Sequence, residues 1–295
     1  TGYSPAHDAM AGWIRGYDPT RPVQYQGPFQ RGTYHDGHLA TDVICPMYHP
    51  IDRIVEAATE QGVDRPLILC EYSHAMGNSN GSLSDYWHAF KTTHGLQGGF
   101  IWDWVDQGLL EHTADGEPYY AYGGDYGDQP TDYNFNCNGM VWPDRTPHPA
   151  MWEHKYLTQP IEVEAINLKK LKFTVTSRMD FVNSGHIEGR WAVKVDGDVI
   201  KEGRLPKLNL EPDQSMSVEL KLDKPRLEPG QEAFVHFQFA LKADTAWAKK
   251  GHVVGWEQFK LPWTASKSGK AKKTDDALEL TLQRSDETFV IGLGR

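Results

Sequence analysis

The sequence lacks the features that mark several common classes of protein. It has only three cysteines in 295 residues, Cys45, Cys70 and Cys137, and their spacing matches neither a disulfide framework nor a zinc site. No apolar run approaches the roughly 20 residues of a membrane-spanning helix. Acidic residues outnumber basic ones, 40 against 30, which gives a net charge of −10. We therefore expect no membrane segment and no nucleic-acid partner, and the sparse cysteines favour a cytoplasmic protein.

The sequence does contain enough apolar residues for real cores, at 39% hydrophobic and 12% aromatic content, and its length predicts about two domains. Up to about residue 160, helical and strand-like segments alternate, and connections of this length predict parallel strands. The predicted helices are Pro5–Tyr17, Ile51–Gln61 and Gly81–Thr93, and the predicted strands are Val23–Gln26, Asp42–Tyr48, Leu67–Glu71 and Leu96–Trp104.

Glu71 is the strongest candidate for a catalytic group. It follows Leu67–Cys70, an unbroken apolar run typical of a strand that is buried on both faces of a parallel sheet. A carboxylate at the end of such a strand costs free energy unless another group pairs with it. Catalytic groups of parallel-strand barrels lie at this end of the strands. The alternative is a strand end that is acidic without a catalytic role.

Tyr48, Glu71 and Trp102 lie at or near the ends of three successive predicted strands, and the two aromatic residues suit sugar chemistry. The hydroxyl of Tyr48 can bond an anionic carboxylate and help set its pKa. Trp102 offers a flat apolar face to the C–H surface of a sugar, although both side chains also fit ordinary core positions. His74, three residues past Glu71, is either a hydrogen-bond donor to a sugar or a structural histidine. Asp103 and Asp106 are predicted to accept backbone hydrogen bonds in the turn after the strand.

The segment from Gly108 to Pro149 is rich in Gly, Asp, Asn and Tyr. Stretches of this length without regular structure are usually functional or disordered, and the many aromatics favour an ordered loop at the mouth of a barrel. Within it, Asn138 and the backbone carbonyl of Phe135 offer hard oxygen atoms that suit an alkali cation.

From about Ile161 the pattern changes to alternating apolar and polar residues. Turn signals separate the segments, and half-buried strands at this spacing predict a β-sandwich. The alternating apolar positions are Leu171, Phe173 and Val175, then Trp191, Val193 and Val195, then Val235, Phe237, Phe239 and Leu241. Thr264–Asp276 is small and polar and predicts a linker, and Leu278–Gly294 is predicted to return to strands.

Two long strings resemble the nucleophile region of the large bacterial β-galactosidases of glycoside hydrolase family two. They are Glu71-Tyr-Ser-His-Ala-Met-Gly-Asn-Ser79 and Gln97-Gly-Gly-Phe-Ile-Trp-Asp-Trp-Val-Asp-Gln107. The resemblance continues through Tyr122–Asp128, Asn138-Gly139 and Asp144–Pro149, and it is weaker after Ile161. It implies the C-terminal half of a (β/α)8 TIM barrel over residues 1–160, an immunoglobulin-like β-sandwich over 161–263, and a linker with the first strands of a C-terminal β-sandwich domain over 264–295.

The resemblance also implies an activity and a set of site residues. A retaining β-galactosidase would use Glu71 as the nucleophile with Tyr48 beside it, and His74, Trp102 and Asn138 would contact the β-galactoside. Phe135 and Asn138 would bind sodium, whereas most magnesium ligands of the parent enzyme would lie outside this chain. Thr131 departs from the family pattern, which has an Asn beside the magnesium site.

Thr1-Gly2-Tyr3 matches the residues directly after the acid/base Glu of that family. We therefore expect the chain to be inactive alone, to need the remaining part of the parent enzyme, and to form a homo-oligomer in the parent. The alternatives are another family-two β-glycosidase, such as a glucuronidase or mannosidase, a non-catalytic carbohydrate-binding module, or a complementing fragment.

Overall fold

The computed structural model describes residues 2–31, 34–60, 62–265, 279–284 and 288–294. It forms two compact units, Thr1–Gln159 and Pro160–Arg295. Within the described ranges, no helix combines the length and the apolar character needed to cross a membrane.

The first unit alternates helices with strands. Its elements are α1 (Pro5–Tyr17), a 3-10 turn (Gly27–Arg31), α2 (Ile51–Thr59), β1 (Leu67–Tyr72), α3 (Leu83–Thr92), β2 (Leu96–Ile101), the hairpin strands β3 (Leu109–His112) and β4 (Pro118–Ala121), and α4 (Pro149–Leu157). Strands β1 and β2 pair in parallel, and α3 makes the crossover between them. The predicted βα pattern and its parallel strands are therefore confirmed.

Residues 42–48 run alongside β1 on its other edge. Parallel bridges join Ile44 to Leu67 and Met47 to Glu71. Pro46 has no N–H to donate, but its carbonyl still accepts from the N–H of Cys70 at 3.1 Å. Three parallel segments thus lie side by side with β1 in the middle, and their apolar side chains form the core of this unit together with α2 and α3.

The predicted strand Val23–Gln26 is wrong. Side-chain oxygens accept the hydrogen bonds from its N–H groups that the carbonyls of a neighbouring strand would otherwise accept. The carboxylate of Asp42 accepts from Val23 N–H at 2.7 Å, and the hydroxyl of Thr41 accepts from Tyr25 N–H at 3.2 Å. The predicted strand Asp42–Tyr48 is reduced to isolated bridges at Ile44 and Met47. The other predicted elements are present with small shifts at their ends: α2 stops at Thr59, and β2 stops at Ile101.

The second unit contains two antiparallel sheets that share one apolar core. One has the order β5-β6-β9 and the other β11-β10-β7-β8. The strands are β5 (Ile161–Asn167), β6 (Lys172–Ser177), β7 (Ile187–Val195), β8 (Asp198–Arg204), β9 (Ser215–Glu219), β10 (Ala233–Leu241) and β11 (Val253–Lys260), with a 3-10 turn at Ser184–His186. The rings of Phe173 and Phe237, one from each sheet, meet edge to face at 4.8 Å. This arrangement confirms the predicted sandwich.

The end of the chain adds one more hairpin. Strands β12 (Glu279–Arg284) and β13 (Phe289–Gly294) pair antiparallel, as the return to strands predicted. The predicted linker Thr264–Asp276 lies outside the described residues except for its first two, and Thr1 also lies outside them.

Candidate active site

Glu71 lies near the carboxyl end of β1, beside the end of the segment that carries Tyr48. The carbonyl of Glu71 accepts from the N–H of Tyr48 at 2.8 Å. Tyr48 and Ser73 both adopt left-handed backbone conformations, with φ of 54° and 48°. Non-glycine residues seldom adopt this conformation, and those that do concentrate at functional sites.

The side chains of Tyr48 and Glu71 interact as well. Partial burial raises the pKa of the Tyr48 phenol well above its ordinary value, and interaction with the Glu71 carboxylate raises it further. The charge of Asp103 acts in the same direction. The phenol therefore keeps its proton at neutral pH and is available as a hydrogen-bond donor beside the Glu71 carboxylate.

His74 packs between two aromatic rings. Its ring lies 6.0 Å from that of Tyr48 and stacks on that of Phe135 at 5.7 Å, with an angle of 18° between the planes. The N–H of Met76 approaches Nδ1 at 3.5 Å. With Nδ1 as acceptor, the neutral ring carries its proton on Nε2, which can then donate to a ligand.

Trp102 directly follows β2 and is tied to the residues that follow β1. Its carbonyl accepts from the N–H of Ala75 at 2.7 Å, and its own N–H donates to the carbonyl of Tyr72 at 3.3 Å. The peptide bond between Trp102 and Asp103 is cis. The indole is partly exposed to solvent. The backbone thus brings Trp102 and His74 to the same end of the parallel strands.

Asn138 lies against Phe135, the other residue of the predicted cation site. Asn138 is 3% exposed, and its Nδ2 donates to the carbonyl of Phe135 at 2.8 Å. Its Oδ1 is buried and accepts no hydrogen bond from any described residue. A buried amide oxygen without a partner costs free energy. A hard cation between this oxygen and a backbone carbonyl would satisfy it, because alkali and alkaline-earth ions prefer such ligands.

Other metal chemistry finds less support in the described part of the chain. No group of three or more His, Cys, Asp or Glu side chains there is arranged to hold a metal ion. The hydroxyl of Thr131 accepts from the N–H of Tyr133 at 3.1 Å, so it is used within its own loop.

Of the two further carboxylates, Asp103 accepts a backbone hydrogen bond in the turn after the strand as predicted, whereas the prediction for Asp106 is wrong. Asp103 accepts from Trp104 N–H at 2.5 Å and from Gln107 Nε2 at 2.7 Å. Asp106 accepts from a backbone N–H, but that group belongs to Gly139, 33 residues away, at 2.6 Å. It also meets Nε2 of His148 at 3.0 Å. The contact between Asp106 and His148 was not predicted from the sequence, although His148 lies within Asp144–Pro149, one of the segments that carry the family resemblance.

The sequence comparisons define the class of this site. Residues 1–163 match the family described as glycosyl hydrolases family 2, TIM barrel domain, and residues 173–262 match domain 4 of β-galactosidase. The first unit is thus a part of a glycosidase barrel domain. The chain belongs to glycosyl hydrolase family 2.

Curated relatives within that family carry the name β-galactosidase. The protein of Aeromonas hydrophila subsp. hydrophila is 43% identical over 273 residues, which cover 89% of this chain and 26% of that protein. Proteins of Yersinia pestis and Yersinia pseudotuberculosis are 39% identical over the same length. The chain spans about a quarter of the length of these relatives.

The solved structures that resemble this chain include glycosidases. A β-glycosidase from Bacteroides vulgatus is 12% identical with a TM-score of 0.36, and the match covers 100% of this chain and 39% of that one. A likeness at this TM-score carries no argument about the site.

Proposed function

We propose that the chain carries the nucleophile of a retaining β-galactosidase, which removes terminal non-reducing β-D-galactose from β-galactosides such as lactose. The observation that carries this proposal is the position of Glu71. It lies near the carboxyl end of the middle one of three parallel segments, and the protonated Tyr48 phenol interacts with its carboxylate. The relatives named β-galactosidase, at 39–43% identity, support the choice of sugar.

In this mechanism the Glu71 carboxylate attacks the anomeric carbon as the glycosidic C–O bond breaks, which forms a covalent galactosyl ester. Water then attacks the same carbon, releases galactose and regenerates the carboxylate. The Tyr48 O–H orients Glu71 and favours its anionic form. His74 donates from Nε2 to a sugar hydroxyl, and Trp102 covers the C–H face of the sugar.

A retaining mechanism needs a second carboxyl group about 5–5.5 Å from the nucleophile. Asp103 is unsuited, because both of its oxygens accept hydrogen bonds from its own turn. We assign the acid/base role to a Glu in the remaining part of a longer enzyme, and we expect this chain to be inactive without that part. We further propose that the parent is cytoplasmic, which the three free cysteines favour, and that it forms a homo-oligomer.

Sodium is the proposed cation, bound by the carbonyl of Phe135 and the side-chain oxygen of Asn138, with the Asn138 amide turned so that its oxygen replaces Nδ2 beside that carbonyl. When bound, it supplies a fixed positive charge that sugar hydroxyls can coordinate. The amide of Asn138 faces both the cation and the sugar in this proposal. Magnesium in the parent would take most of its ligands from outside this chain.

The experiment uses the full-length protein that carries this chain. A fluorinated galactoside that traps the glycosyl ester is expected to label the unaltered protein, with the modified peptide containing Glu71. Glu71→Gln removes the anionic nucleophile and is expected to abolish labelling and to lower kcat by several orders of magnitude. Glu56→Gln alters an exposed carboxylate on α2 and serves as the matched control. This variant is expected to keep both the labelling and the kcat of the unaltered protein.

Two results would contradict the proposal. Labelling of the Glu71→Gln variant at the same level as the control would show that another residue is the nucleophile. Faster hydrolysis of a nitrophenyl glucuronide or mannoside than of the galactoside would favour another family-two β-glycosidase.

A further inference from the structure

Asp106 is a buried carboxylate that has no part in the proposed reaction. It is 4% exposed, and both of its oxygens are occupied. Oδ1 accepts from the N–H of Gly139 at 2.6 Å, and Oδ2 faces Nε2 of His148 at 3.0 Å. A carboxylate acceptor requires the proton on Nε2 of this ring. These are charge-assisted hydrogen bonds, the stronger class in proteins.

The contact at Gly139 is too close for any other residue. A Cβ atom there would lie 2.1 Å from the nitrogen of Asp106, 2.4 Å from the carbonyl carbon of Val105 and 2.6 Å from the oxygen of Val141. The backbones of the two segments therefore touch directly. Asn138, which precedes Gly139, has little freedom to move while this contact is intact.

Backbone hydrogen bonds extend the contact toward the candidate site. Asp103 N–H donates to the carbonyl of Asn138 at 2.7 Å, and Met140 N–H donates to the carbonyl of Asp103 at 2.9 Å. Asp106 N–H donates to the carbonyl of Val141 at 2.9 Å. The segment that begins with Trp102 and the segment that contains Asn138 are thus held in one register.

His148 is itself fixed on two sides. Its ring stacks on Trp142 at 4.3 Å, with 21° between the planes, and its N–H donates to the carbonyl of Met140 at 3.0 Å. The ring edge that meets Asp106 consequently has a defined direction. An imidazole held in this way is suited to hold the carboxylate in one orientation.

We propose that Asp106 and His148 are positioning residues of the galactosidase reaction. Their hydrogen bonds keep Asn138 and Trp102 in place relative to Glu71, although neither residue contacts the substrate. This inference rests on the proposed function, because the residues it positions are the proposed sugar ligands.

The test measures kcat and KM for a nitrophenyl galactoside in the full-length protein. Asp106→Ala is expected to lower kcat/KM by about 100-fold, the effect of displacing site groups by about 1 Å. It should also weaken binding of a non-hydrolysed thiogalactoside, measured by calorimetry. Asp106→Asn retains an acceptor for Gly139 N–H and is expected to recover kcat/KM to within about tenfold of the unaltered protein.

Matched variants separate positioning from folding. Asp144→Ala removes a similar carboxylate bond, from Thr146 N–H at 2.8 Å, in the same loop, and it is expected to leave kcat/KM unchanged. His148→Gln keeps an N–H donor toward Asp106, whereas His148→Phe keeps only the ring on Trp142. The glutamine variant should therefore be the more active of the two, and this pair carries the test if Asp106→Ala does not fold.

The outcomes distinguish the two proposals. An unaltered full-length protein without galactosidase activity would overturn the proposed function and this inference with it. If the unaltered protein is active, equal kcat/KM for Asp106→Ala and Asp144→Ala, or for the two His148 variants, would overturn this inference alone.

Discussion

The phenol of Tyr48 shows how one residue acquires a role from its surroundings. Free tyrosine already has a high pKa, and burial together with the Glu71 carboxylate raises that pKa further. A raised pKa means that the proton stays on the phenol as the pH increases. The phenol therefore remains a potential donor to Glu71 at neutral and mildly alkaline pH. The pH dependence of activity should come from other groups.

Two thiols beside the same strands should be unreactive in the folded protein. Burial raises the pKa of Cys45 from 9.0 to about 12. Burial and the charge of Glu71 raise the pKa of Cys70 to about 11. Because the thiolate is the reactive form, a rise of this size at Cys45 lowers its fraction at neutral pH by roughly a thousandfold. We expect Ellman's reagent to modify Cys45 slowly until urea unfolds the chain, with each site followed by mass spectrometry.

Raising the pH should speed this modification, since the thiolate fraction grows as the pH approaches each pKa. Modification of Cys45 at neutral pH at the same rate in the folded and unfolded chain would contradict the prediction.

At the scale of elements, the pairing of β1 with β2 depends on a close approach at Gly99. A Cβ atom there would lie 2.8 Å from Cβ of Leu69 and 2.8 Å from Cδ1 of Tyr72. Gly99→Ala is therefore expected to destabilise the chain by about 1–3 kcal/mol through overpacking. Urea unfolding followed by circular dichroism measures the change.

Gly12 provides the matched control for that substitution. It lies in α1, where an added Cβ would meet no atom within 4 Å. Gly12→Ala should stabilise the chain by about 0.5–1 kcal/mol, because alanine loses less backbone entropy in a helix. If Gly99→Ala and Gly12→Ala changed the free energy of unfolding equally, the close contact of Gly99 with β1 would not be what determines stability at that position.

The amphipathic pattern of helix α1 does not determine which of its faces is buried. Met10, Trp13 and Ile14 stand at the spacing of one helical face, yet all three are substantially exposed, with Trp13 at 76%. Ala11 is the buried residue of this helix. Periodicity identifies which side chains point the same way, but the neighbouring elements decide which face is covered.

At the scale of the whole molecule, the two units differ in charge. The first 159 residues carry 8 Lys and Arg against 20 Asp and Glu, whereas the rest carry 22 against 20. The acidic unit holds the candidate site, and the nearly balanced unit is the β-sandwich. Such a division is consistent with a sandwich that contributes structure rather than chemistry.

The sandwich should fold without the first unit, because its two sheets enclose a core of their own. We expect residues 160–265 alone to unfold cooperatively and to bind no galactoside. Phe237→Ala should destabilise this fragment by about 3–5 kcal/mol, since Phe237 is fully buried against Phe173. Phe181→Ala, at a 95% exposed position, is the control and should change stability by less than about 0.5 kcal/mol.

Chemical denaturation of the three fragments measures these differences. An unaltered fragment without a cooperative transition would mean that the sandwich depends on the first unit. Galactoside binding by the fragment would instead favour a carbohydrate-binding module.

Much of this organisation could be predicted from the sequence because it depends on local periodicity. The unbroken apolar run before Glu71 indicates a central parallel strand, and the alternation around Phe173 and Phe237 indicates a sandwich. The strand predicted at Val23–Gln26 failed because side chains 16 to 19 residues away took its hydrogen bonds. No local pattern carries that information.

The sequence by itself determined the order of elements, the family, and the residues at the ends of the strands. Only the tertiary structure decided which of these residues meet: the Tyr48 phenol at Glu71, the His74 ring on Phe135, and the carboxylate of Asp106 at Gly139. Propensity and periodicity act over a few residues, whereas these contacts join positions 23 to 61 residues apart. Their geometry depends on how strands and loops pack, and that packing is set by the chain as a whole.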